Sequence, residues 1–460
     1  MIKLRVTLGL LAWGLVSCAG PSVELALVTP VTPPLQWRTG SGSSPVVDEQ
    51  WWQHFGDPQL TALVERGLAN NSDIGIAIGR VREARAAQKL ARAQLFPTLD
   101  AGIGAAASRV VSPFGTPQES IGAQPTLQIA YEIDLFGRLG DQSDAARNSF
   151  LASKAARDAT QLSISAAIAS GYFMLCALDA RLGLAQRTLD ARHEALRIAR
   201  SRTRTGYSPL LELRQAEAEY QATLQIIPQA QLAIARQENA LSVLVGDLPN
   251  RISRISAFSR IKQPSIPAGL PSELLRRRPD VAQAEFQLAA SDKSLSAARK
   301  RFLPQVRLTG STGIALSSLL GDPIALWSVG GSILAPLLEG GRLTAQAEAA
   351  GAQRDQAAWA YRRSALTAFR EVEDALAAAQ RLAEQRSAIA AQRDALSGGL
   401  RLAINRFRAG YSPYLEQLDA QRALLSAELS LIQIEADQLN NRVALFQAMG
   451  GGWTSAADDR

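Results

Sequence analysis

The sequence predicts a mainly α-helical protein with a small β part, duplicated internally so that each chain has four long helices and four strands. Three observations support this fold class. Leu, Ile and Ala recur at helical spacing through the proline-free stretches that follow Pro125 and Pro336. The residues "RTGYSPLLE" at 204–212 return as "RAGYSPYLE" at 408–416. Shorter segments alternate apolar with small or polar residues, which is the two-residue period of a strand.

Residues 1–17 have the features of a bacterial lipoprotein signal peptide. Lys3 and Arg5 precede an apolar run that is too short to span a bilayer, and the run leads into "LVSC". This tetrapeptide resembles the lipoprotein cleavage box, in which Cys18 would become the first mature residue and carry the lipid. A cysteine that follows the run by chance is the alternative. By resemblance to bacterial sorting signals, Ala19 after the cysteine favours the outer membrane.

In the first half of the chain, proline and glycine residues indicate where the predicted helices and strands end. Residues 18–50 are rich in Pro, Ser, Thr, Val and Gly and indicate an extended, lipidated tether. The first repeat, 51–250, is predicted to contain a helix, two strands within 98–135 and a long helical hairpin over 138–247. Pro228 lies inside the return helix of this hairpin and predicts a kink or a break there.

The second half matches the first element by element. After a linker over 251–270, the second repeat at 271–452 is predicted to contain a helix, two strands within 305–337 and a hairpin over 340–450. Residues 453–460 are predicted to form a C-terminal tail. Each long helix of about 65 residues would measure on the order of 100 Å, which does not suit a compact globule.

The repeated corner carries the local signals of a tight turn between two helices. Gly206 and Gly410 suit the left-handed position that ends a helix. Ser208 and Ser412, each followed by proline, are predicted to be N-caps of the next helix.

The alternating segments predict a sheet that is apolar on one face. A half-buried sheet of a soluble protein gives this pattern, and so do the strands of a transmembrane barrel. Four strands cannot close a barrel, and an open edge is not tolerated in lipid, so several chains would each have to contribute four. The alternating apolar positions are Leu99, Ile103, Leu127, Ile129, Tyr131, Ile133, Leu135, Val306, Leu308, Trp327, Val329, Ile333 and Leu337.

Composition argues against several functional classes. The chain is 47% hydrophobic and 20% charged, so it can bury a sizeable core, and its net charge of +7 comes from bases interspersed with acids rather than from a nucleic-acid-binding tract. His54 and His193 are the only histidines, and no nucleotide-binding or nucleophile-elbow motif occurs. We therefore expect no enzymatic activity, no metal and no cofactor. Cys176 has no partner in the mature chain and is predicted to be a buried small hydrophobe.

The ordered set of motifs resembles a known family. "WWQHFGDPQLTALVERGLANNSDI", "YEIDLFGRL", "LLRRRPDVAQAEFQLAAS" and the doubled glycine corner together are similar to the outer-membrane factor family, the TolC-like and OprM-like exit ducts of tripartite efflux pumps, lipoprotein branch. The resemblance implies a homotrimer with a twelve-stranded outer-membrane β-barrel that continues as a periplasmic α-helical barrel. It implies passive conduction of drugs or other small molecules out of a Gram-negative cell.

The resemblance also implies partners. These are an inner-membrane pump of the resistance-nodulation-division type, a periplasmic adaptor protein and outer-membrane lipid, without a cofactor or nucleic acid. The residues that match the adaptor-docking corners are Arg204, Gly206, Ser208, Arg408, Gly410 and Ser412. The alternative is that these residues only cap helices.

The segment "RFRAGYSPYLEQLDAQ" aligns with the constriction of the family and so implies a gate. It places Arg406, Leu415 and Asp419 where an arginine link, an apolar ring and an acidic ring lie, and Leu415 and Asp419 are one helical turn apart. Phe407 stands where the family often has Tyr, which removes a hydroxyl. The first repeat has Gln215 opposite Asp419, so the acidic ring is expected from the second repeat only.

The same sequence features fit one alternative function. A periplasmic coiled-coil lipoprotein with a structural or interaction role would have the same long helices, and its strands would form a soluble sheet.

Overall fold

A computed structural model describes residues 25–38, 49–255, 258–264 and 271–453 of the 460-residue chain. The predicted signal peptide and Cys18 lie outside the described residues. In the first half, the helices and strands are α1 Pro58–Asn70, α2 Ser72–Ala93, β1 Thr98–Val111, β2 Pro117–Ile133, α3 Arg138–Arg204, α4 Leu210–Leu224 and α5 Ile226–Val245. In the second half they are α6 Pro271–Arg277, α7 Pro279–Lys300, β3 Gln305–Ser317, β4 Ile324–Leu334, α8 Arg342–Arg408 and α9 Tyr414–Ala448.

The predicted fold class is confirmed: the described residues are mainly helical, with four strands and two long helices, α3 and α8, of 67 residues each. Two short 3-10 helices, Trp51–Phe55 and Phe258–Arg260, complete the list. The chain divides into two compact units. The first comprises Met1–Pro30, Gly79–Lys154 and Gln283–Arg363, and the second comprises Val31–Ile78, Ala155–Ala282 and Ser364–Arg460.

The first unit contains one antiparallel sheet with the strand order β1-β2-β3-β4. Its register aligns apolar residues across the strands: Leu99 lies opposite Ile129, Ile129 opposite Gly310, and Gly310 opposite Val329. Residues that are directly opposite project from the same face of a sheet. Most of the large apolar residues of the four strands therefore share one face, and Val329 on that face is 82% exposed.

The other face of the sheet carries most of the polar side chains. Asp100 lies opposite Gln128, Gln128 opposite Ser311, and Ser311 opposite Ser328. The hydroxyl oxygens of Ser311 and Ser328 are 2.8 Å apart, within hydrogen-bond distance. β2 and β3 therefore separate apolar from polar side chains as the alternation predicts. The large apolar residues on the otherwise polar face are Val110 of β1 and Ile324, Leu326 and Leu334 of β4.

Two of the predicted apolar strand positions lie outside the strands. β2 ends at Ile133, so Leu135 follows it, and β4 ends at Leu334, so the prediction that Leu337 continues β4 is wrong. Pro336 lies between Leu334 and Leu337, and a proline has no N–H to donate to a sheet ladder.

The predicted break near Pro228 is confirmed. α4 ends at Leu224, α5 begins at Ile226, and Gln225 between them is a turn residue. Pro228 cannot donate a hydrogen bond to the carbonyl of Leu224, and its ring clashes with that carbonyl in a regular helix. The equivalent stretch of α9 has Ile432 and runs without interruption.

An aromatic cluster lies at the centre of the second unit. Trp51 and Phe55 are fully buried, and the Trp51 ring stacks on Phe446 with centroids 5.2 Å apart. The Tyr172 hydroxyl donates to Asp57 Oδ2 at 2.5 Å, and Asp57 Oδ1 accepts from the Gln59 N–H as the N-cap of α1. The cluster therefore fixes the start of α1 against α3.

Cys176 lies on α3, one turn after Tyr172, and is a buried free cysteine. Burial raises the pKa of its thiol to about 12, and the nearby Asp57 and Asp179 carboxylates act in the same direction. The thiol is therefore neutral at physiological pH, as expected of a buried small hydrophobe.

Candidate functional site at the helical corners

The first corner joins α3 to α4 through a left-handed glycine. Gly206 has φ +71° and donates its N–H to the Thr203 carbonyl at 3.1 Å, while the Tyr207 N–H donates to the Arg202 carbonyl at 2.8 Å. This pair of hydrogen bonds is the Schellman motif, which satisfies carbonyls that the helix end leaves free.

The second corner, from α8 to α9, repeats this geometry. Gly410 has φ +78° and donates to the Phe407 carbonyl at 3.1 Å, and the Tyr411 N–H donates to the Arg406 carbonyl at 2.9 Å. A Cβ at either glycine would meet no other group within 4 Å, so the positive φ is the reason that the corners require glycine.

The prediction that Ser208 and Ser412 are N-caps is wrong. α4 and α9 begin one residue later than predicted, so Pro209 and Pro413 hold the N-cap position in extended conformation, without a side-chain cap. A proline has no side-chain acceptor, and only its carbonyl accepts a hydrogen bond, as from the Glu212 N–H at 3.1 Å. Both serines are half-buried, and the Ser412 Oγ is buried without a hydrogen-bond partner.

The most prominent side chains at the corners are two tyrosines. Tyr207 is 85% and Tyr411 81% exposed. Arg204 and Arg408 are also exposed and lie three residues before these tyrosines in the sequence. The tyrosines follow the two glycines, and Leu211 adds further exposed apolar surface to the first corner. The tyrosines were not among the predicted docking residues, although the repeated "GYSP" was the signal that could have identified them.

A small apolar cluster below the corners joins the two repeats. Its buried and partly buried members come from α3, α4, α8 and α9; they are Leu196, Ala199, Leu213, Ala216, Tyr220, Phe407, Tyr414 and Leu418. The Phe407 and Tyr414 rings are tilted at 57° with centroids 5.6 Å apart. Burial raises the pKa of the Tyr414 hydroxyl. The two hairpins of one chain therefore pack together at this level.

The predicted gate residues lie on and beside the second corner. Leu415 and Asp419 are both exposed, while Leu418 between them is buried, so the first two share the outer face of α9. Arg406 Nε lies 3.5 Å from Glu416 Oε1. Within the chain Arg406 therefore pairs with Glu416, and the structure does not bring it together with Asp419.

Asp419 instead belongs to a chain of charges that sequence analysis missed. Arg422 NH1 lies 3.5 Å from Asp419 Oδ1, and Arg422 Nε donates to Glu219 Oε1 at 2.8 Å. Arg192 NH1 pairs with the other oxygen of Glu219 and donates to its backbone carbonyl at 2.8 Å. Glu219 on α4 thus connects Arg192 on α3 with Arg422 on α9.

The burial of this network differs sharply along its length. The side chains of Arg192 and Glu219 are 6% and 9% exposed, whereas those of Arg422 and Asp419 are 52% and 63% exposed. Burial lowers the pKa of Arg192, and the hydrogen bond to Glu219 raises that of Arg422. Removing one partner of a buried ion pair costs about 3–5 kcal/mol because the other charge is left without compensation.

No group of three or more His, Cys, Asp or Glu side chains that could hold a metal ion occurs in the part of the chain that the structure describes. The corners offer helix ends, exposed rings and charges, which are means of contact and of electrostatic control.

The chain is similar to known proteins over most of its length. The model of the family described as outer membrane efflux protein matches residues 63–247 and 270–451. The toluene efflux pump outer membrane protein TtgI of Pseudomonas putida is 36% identical over 414 residues, which cover 87% of each chain. Two solved structures are similar over nearly the whole chain. The outer-membrane channel OprN has a TM-score of 0.85 at 29% identity and covers 95% of this chain and 99% of its own. The open state of the MtrE outer membrane channel of Neisseria gonorrhoeae has a TM-score of 0.82 at 29% identity and covers 94% and 99%.

Proposed function

This chain belongs to the outer membrane efflux protein family, and we propose that it is the passive exit duct of a tripartite efflux system in the outer membrane. The observation that carries the proposal is the register of the sheet, which places most of the large apolar side chains of the four strands on one exposed face and the polar side chains mainly on the other. An apolar outer face and a polar inner face are what a transmembrane barrel requires.

The edges of this sheet support assembly into a trimer. β1 and β4 are the outer strands, and each has a strand neighbour on one side only. An unpaired strand edge in lipid leaves N–H and C=O groups without partners, at several kcal/mol each. Three copies of the four-stranded sheet would close one twelve-stranded barrel and pair every edge.

The exposed apolar face also weighs against the alternative of a water-soluble coiled-coil lipoprotein. A soluble sheet buries its apolar face against a second layer. Trp327, Val329 and Ile333 are instead each more than two-thirds exposed in the chain. They are covered once lipid surrounds the barrel.

The partners follow from the role of a duct. An inner-membrane pump of the resistance-nodulation-division type supplies the substrate, and a periplasmic adaptor connects the pump to this protein. The helical corners are the docking surface for the adaptor, with Arg204, Gly206 and Ser208 from the first repeat and Arg408, Gly410 and Ser412 from the second. Support comes from the exposure of both arginines and from the similar backbone geometry of the two corners.

The gate lies at the same end of the helices. Three copies of Leu415 form an apolar ring, and three copies of Asp419 form an acidic ring that attracts cations. Arg406 stabilises the closed state, either through its own Glu416 or through an acid of a neighbouring chain. Support comes from the shared exposed face of Leu415 and Asp419 on α9. The related proteins are efflux channels, and we propose that this chain likewise catalyses no reaction.

Planar-bilayer conductance of the purified trimer tests the proposal. The wild-type protein should show rare, small openings, and Asp419→Ala combined with Arg406→Ala should raise the open fraction. Asp394→Ala is a matched control, because Asp394 is an exposed acid on α8 that pairs with its neighbour Arg393. Absence of any channel in all three proteins, or a water-soluble monomer once Cys18 is removed, would reject the function.

A further inference from the structure

We infer that Arg422 is a selectivity-determining residue of the constriction and that Glu219 of the first repeat is the positioning residue that holds it. This inference rests on the proposed channel function and adds two residues from the charge network to it. An acidic ring of three Asp419 side chains would then be balanced by a ring of three Arg422 side chains.

The contacts of the Arg422 guanidinium carry the inference. Its Nε and NH2 atoms both contact Oε1 of Glu219, while NH1 lies 3.5 Å from Oδ1 of Asp419. The distance to Asp419 exceeds that of a charge-assisted hydrogen bond, so Arg422 belongs mainly to Glu219 and balances Asp419 through space. The position of Arg422 therefore sets how much of the Asp419 charge faces the pore.

The location of Glu219 explains why it can act as an anchor. Its carboxylate is buried, and Arg192 fixes it from the opposite side through the second carboxylate oxygen. A buried, doubly paired carboxylate has little freedom to move, whereas the half-exposed Arg422 would have many rotamers without it. The order of the network from fixed to mobile is Arg192, Glu219, Arg422 and Asp419.

The second repeat alone does not contain all the residues of this charge network. The residue that corresponds to Glu219 in the second repeat is Ala423, and Arg422 corresponds to Ala218 in the first. The two halves of the duplicated chain therefore contribute different members of one charge network, and the acid on the first repeat acts on the gate through the second.

The network predicts opposite changes in ion selectivity for two variants that both disturb it. Arg422→Gln leaves Asp419 without its neighbouring cation, so the cation-to-anion permeability ratio should rise by about two- to fivefold, the effect of a partly exposed ion pair. Glu219→Gln releases Arg422 toward Asp419, so the same ratio should fall. A purely structural role would shift both variants in the same direction through general loosening of the pore.

The experiment measures reversal potentials of purified trimers in planar bilayers under a tenfold KCl gradient. Asp419→Ala serves as the reference for the loss of the acidic ring. Glu217→Gln is the matched control for Glu219, because Glu217 lies on the same helix and is partly exposed. It pairs with Arg214 of α4 at 2.8 Å and with Arg200 of α3 at 3.8 Å, outside the network of Glu219. This control should leave the reversal potential unchanged. Arg422→Lys, which keeps the charge, should retain most of the wild-type selectivity.

The double variant Glu219→Gln with Arg422→Gln tests whether Glu219 acts through Arg422. Its permeability ratio should equal that of Arg422→Gln alone, because without the Arg422 guanidinium there is no side chain for Glu219 to position. Additive shifts, or equal shifts for Glu217→Gln and Glu219→Gln, would overturn the inference while leaving the channel itself in place.

Glu219→Gln could fail to assemble, which is judged by the loss of heat-resistant trimers in detergent. In that case the comparison of Arg422→Gln with Arg422→Lys decides, since an unchanged reversal potential in both variants contradicts the assignment. A wild-type protein that forms no channel would reject the proposed function instead.

Discussion

The guanidinium carbon of Arg202 lies 4.8 Å from the centre of the Phe407 ring. Arg202 is in the last turn of α3 and Phe407 in the last turn of α8, so this cation–π contact joins the two long helices of one chain just before their corners. The Phe407 ring also packs on Tyr414. Phenylalanine at this position therefore holds the helices through its face and needs no hydroxyl.

We expect Phe407→Leu to loosen the closed gate and Phe407→Tyr to preserve it. Leucine has no π face, and a cation–π contact of about 1 kcal/mol corresponds to roughly a fivefold change in the ratio of open to closed channels. Tyrosine keeps the ring and serves as the matched control. Single-channel open fractions in planar bilayers provide the measurement, and equal open fractions for the leucine and wild-type proteins would contradict the role of the ring.

The two corner glycines should tolerate alanine poorly for a backbone reason. At Gly206 and Gly410 a Cβ has open space around it, but an L-residue at positive φ costs about 1–2 kcal/mol. We expect either alanine variant to increase protease cleavage at its own corner and to weaken capture by the adaptor. Gly398→Ala is the control with the opposite sign, since Gly398 lies inside α8 with open space, where alanine stabilises a helix by about 1 kcal/mol. Corner variants that are cleaved no faster than wild type would show that the left-handed turn is not required.

The fold class could be predicted because it depends on patterns that lie within single segments. Helical periodicity, strand alternation and the proline at 228 each act on a few neighbouring residues, and the structure has the corresponding helices, strands and break. The N-cap prediction at Ser208 failed because the start of a helix shifts by one residue when an extended proline occupies the cap.

The charge network could not be predicted from such patterns. Glu219 and Arg422 are 203 residues apart, and their contact depends on which faces of α4 and α9 meet. In the sequence each of them is one more charge on a helix that has many. Within the chain Arg406 pairs with Glu416 across the corner, and its expected link to Asp419 in the closed pore stays a prediction.

Lipidation of Cys18 remains a prediction, because this residue lies outside the described part of the chain. Cells that express the wild-type protein should incorporate labelled palmitate into it, and Cys18→Ser should abolish the label. The only other cysteine provides the control: Cys176 is buried on α3, so Cys176→Ser should keep the label. A Cys18→Ser protein that still carries palmitate would exclude the predicted site. We expect this variant to stay in the outer-membrane fraction, since the barrel strands hold it there without the lipid.

A group of ion pairs around Asp141, at the start of α3 in the first unit, should make the stability of the trimer depend on pH. Lys300 Nζ lies 2.5 Å and Lys293 Nζ 3.4 Å from the carboxylate oxygens of the buried Asp141. Burial by itself raises the pKa of Asp141, but the hydrogen bonds from Lys300 and Ser296 outweigh it and hold the pKa below its ordinary value. A carboxyl group with a depressed pKa in the folded state stabilises the fold above its unfolded pKa of about 3.9, and this contribution disappears as the pH falls through the folded value.

Asp141→Asn should therefore destabilise the protein at pH 7 by about 2 kcal/mol, the size of a hydrogen bond to a charged group. The difference from wild type should shrink as the pH falls below about 4. Asp144→Asn is the matched control, because Asp144 also pairs with Lys293, at 2.9 Å, but is about half exposed and so contributes at most about 1 kcal/mol. The temperature at which detergent-solubilised trimers dissociate, measured from pH 7 to pH 3, gives the comparison. A gap between Asp141→Asn and wild type that stays constant over this range would show that the ionised carboxylate is not the source of the stability.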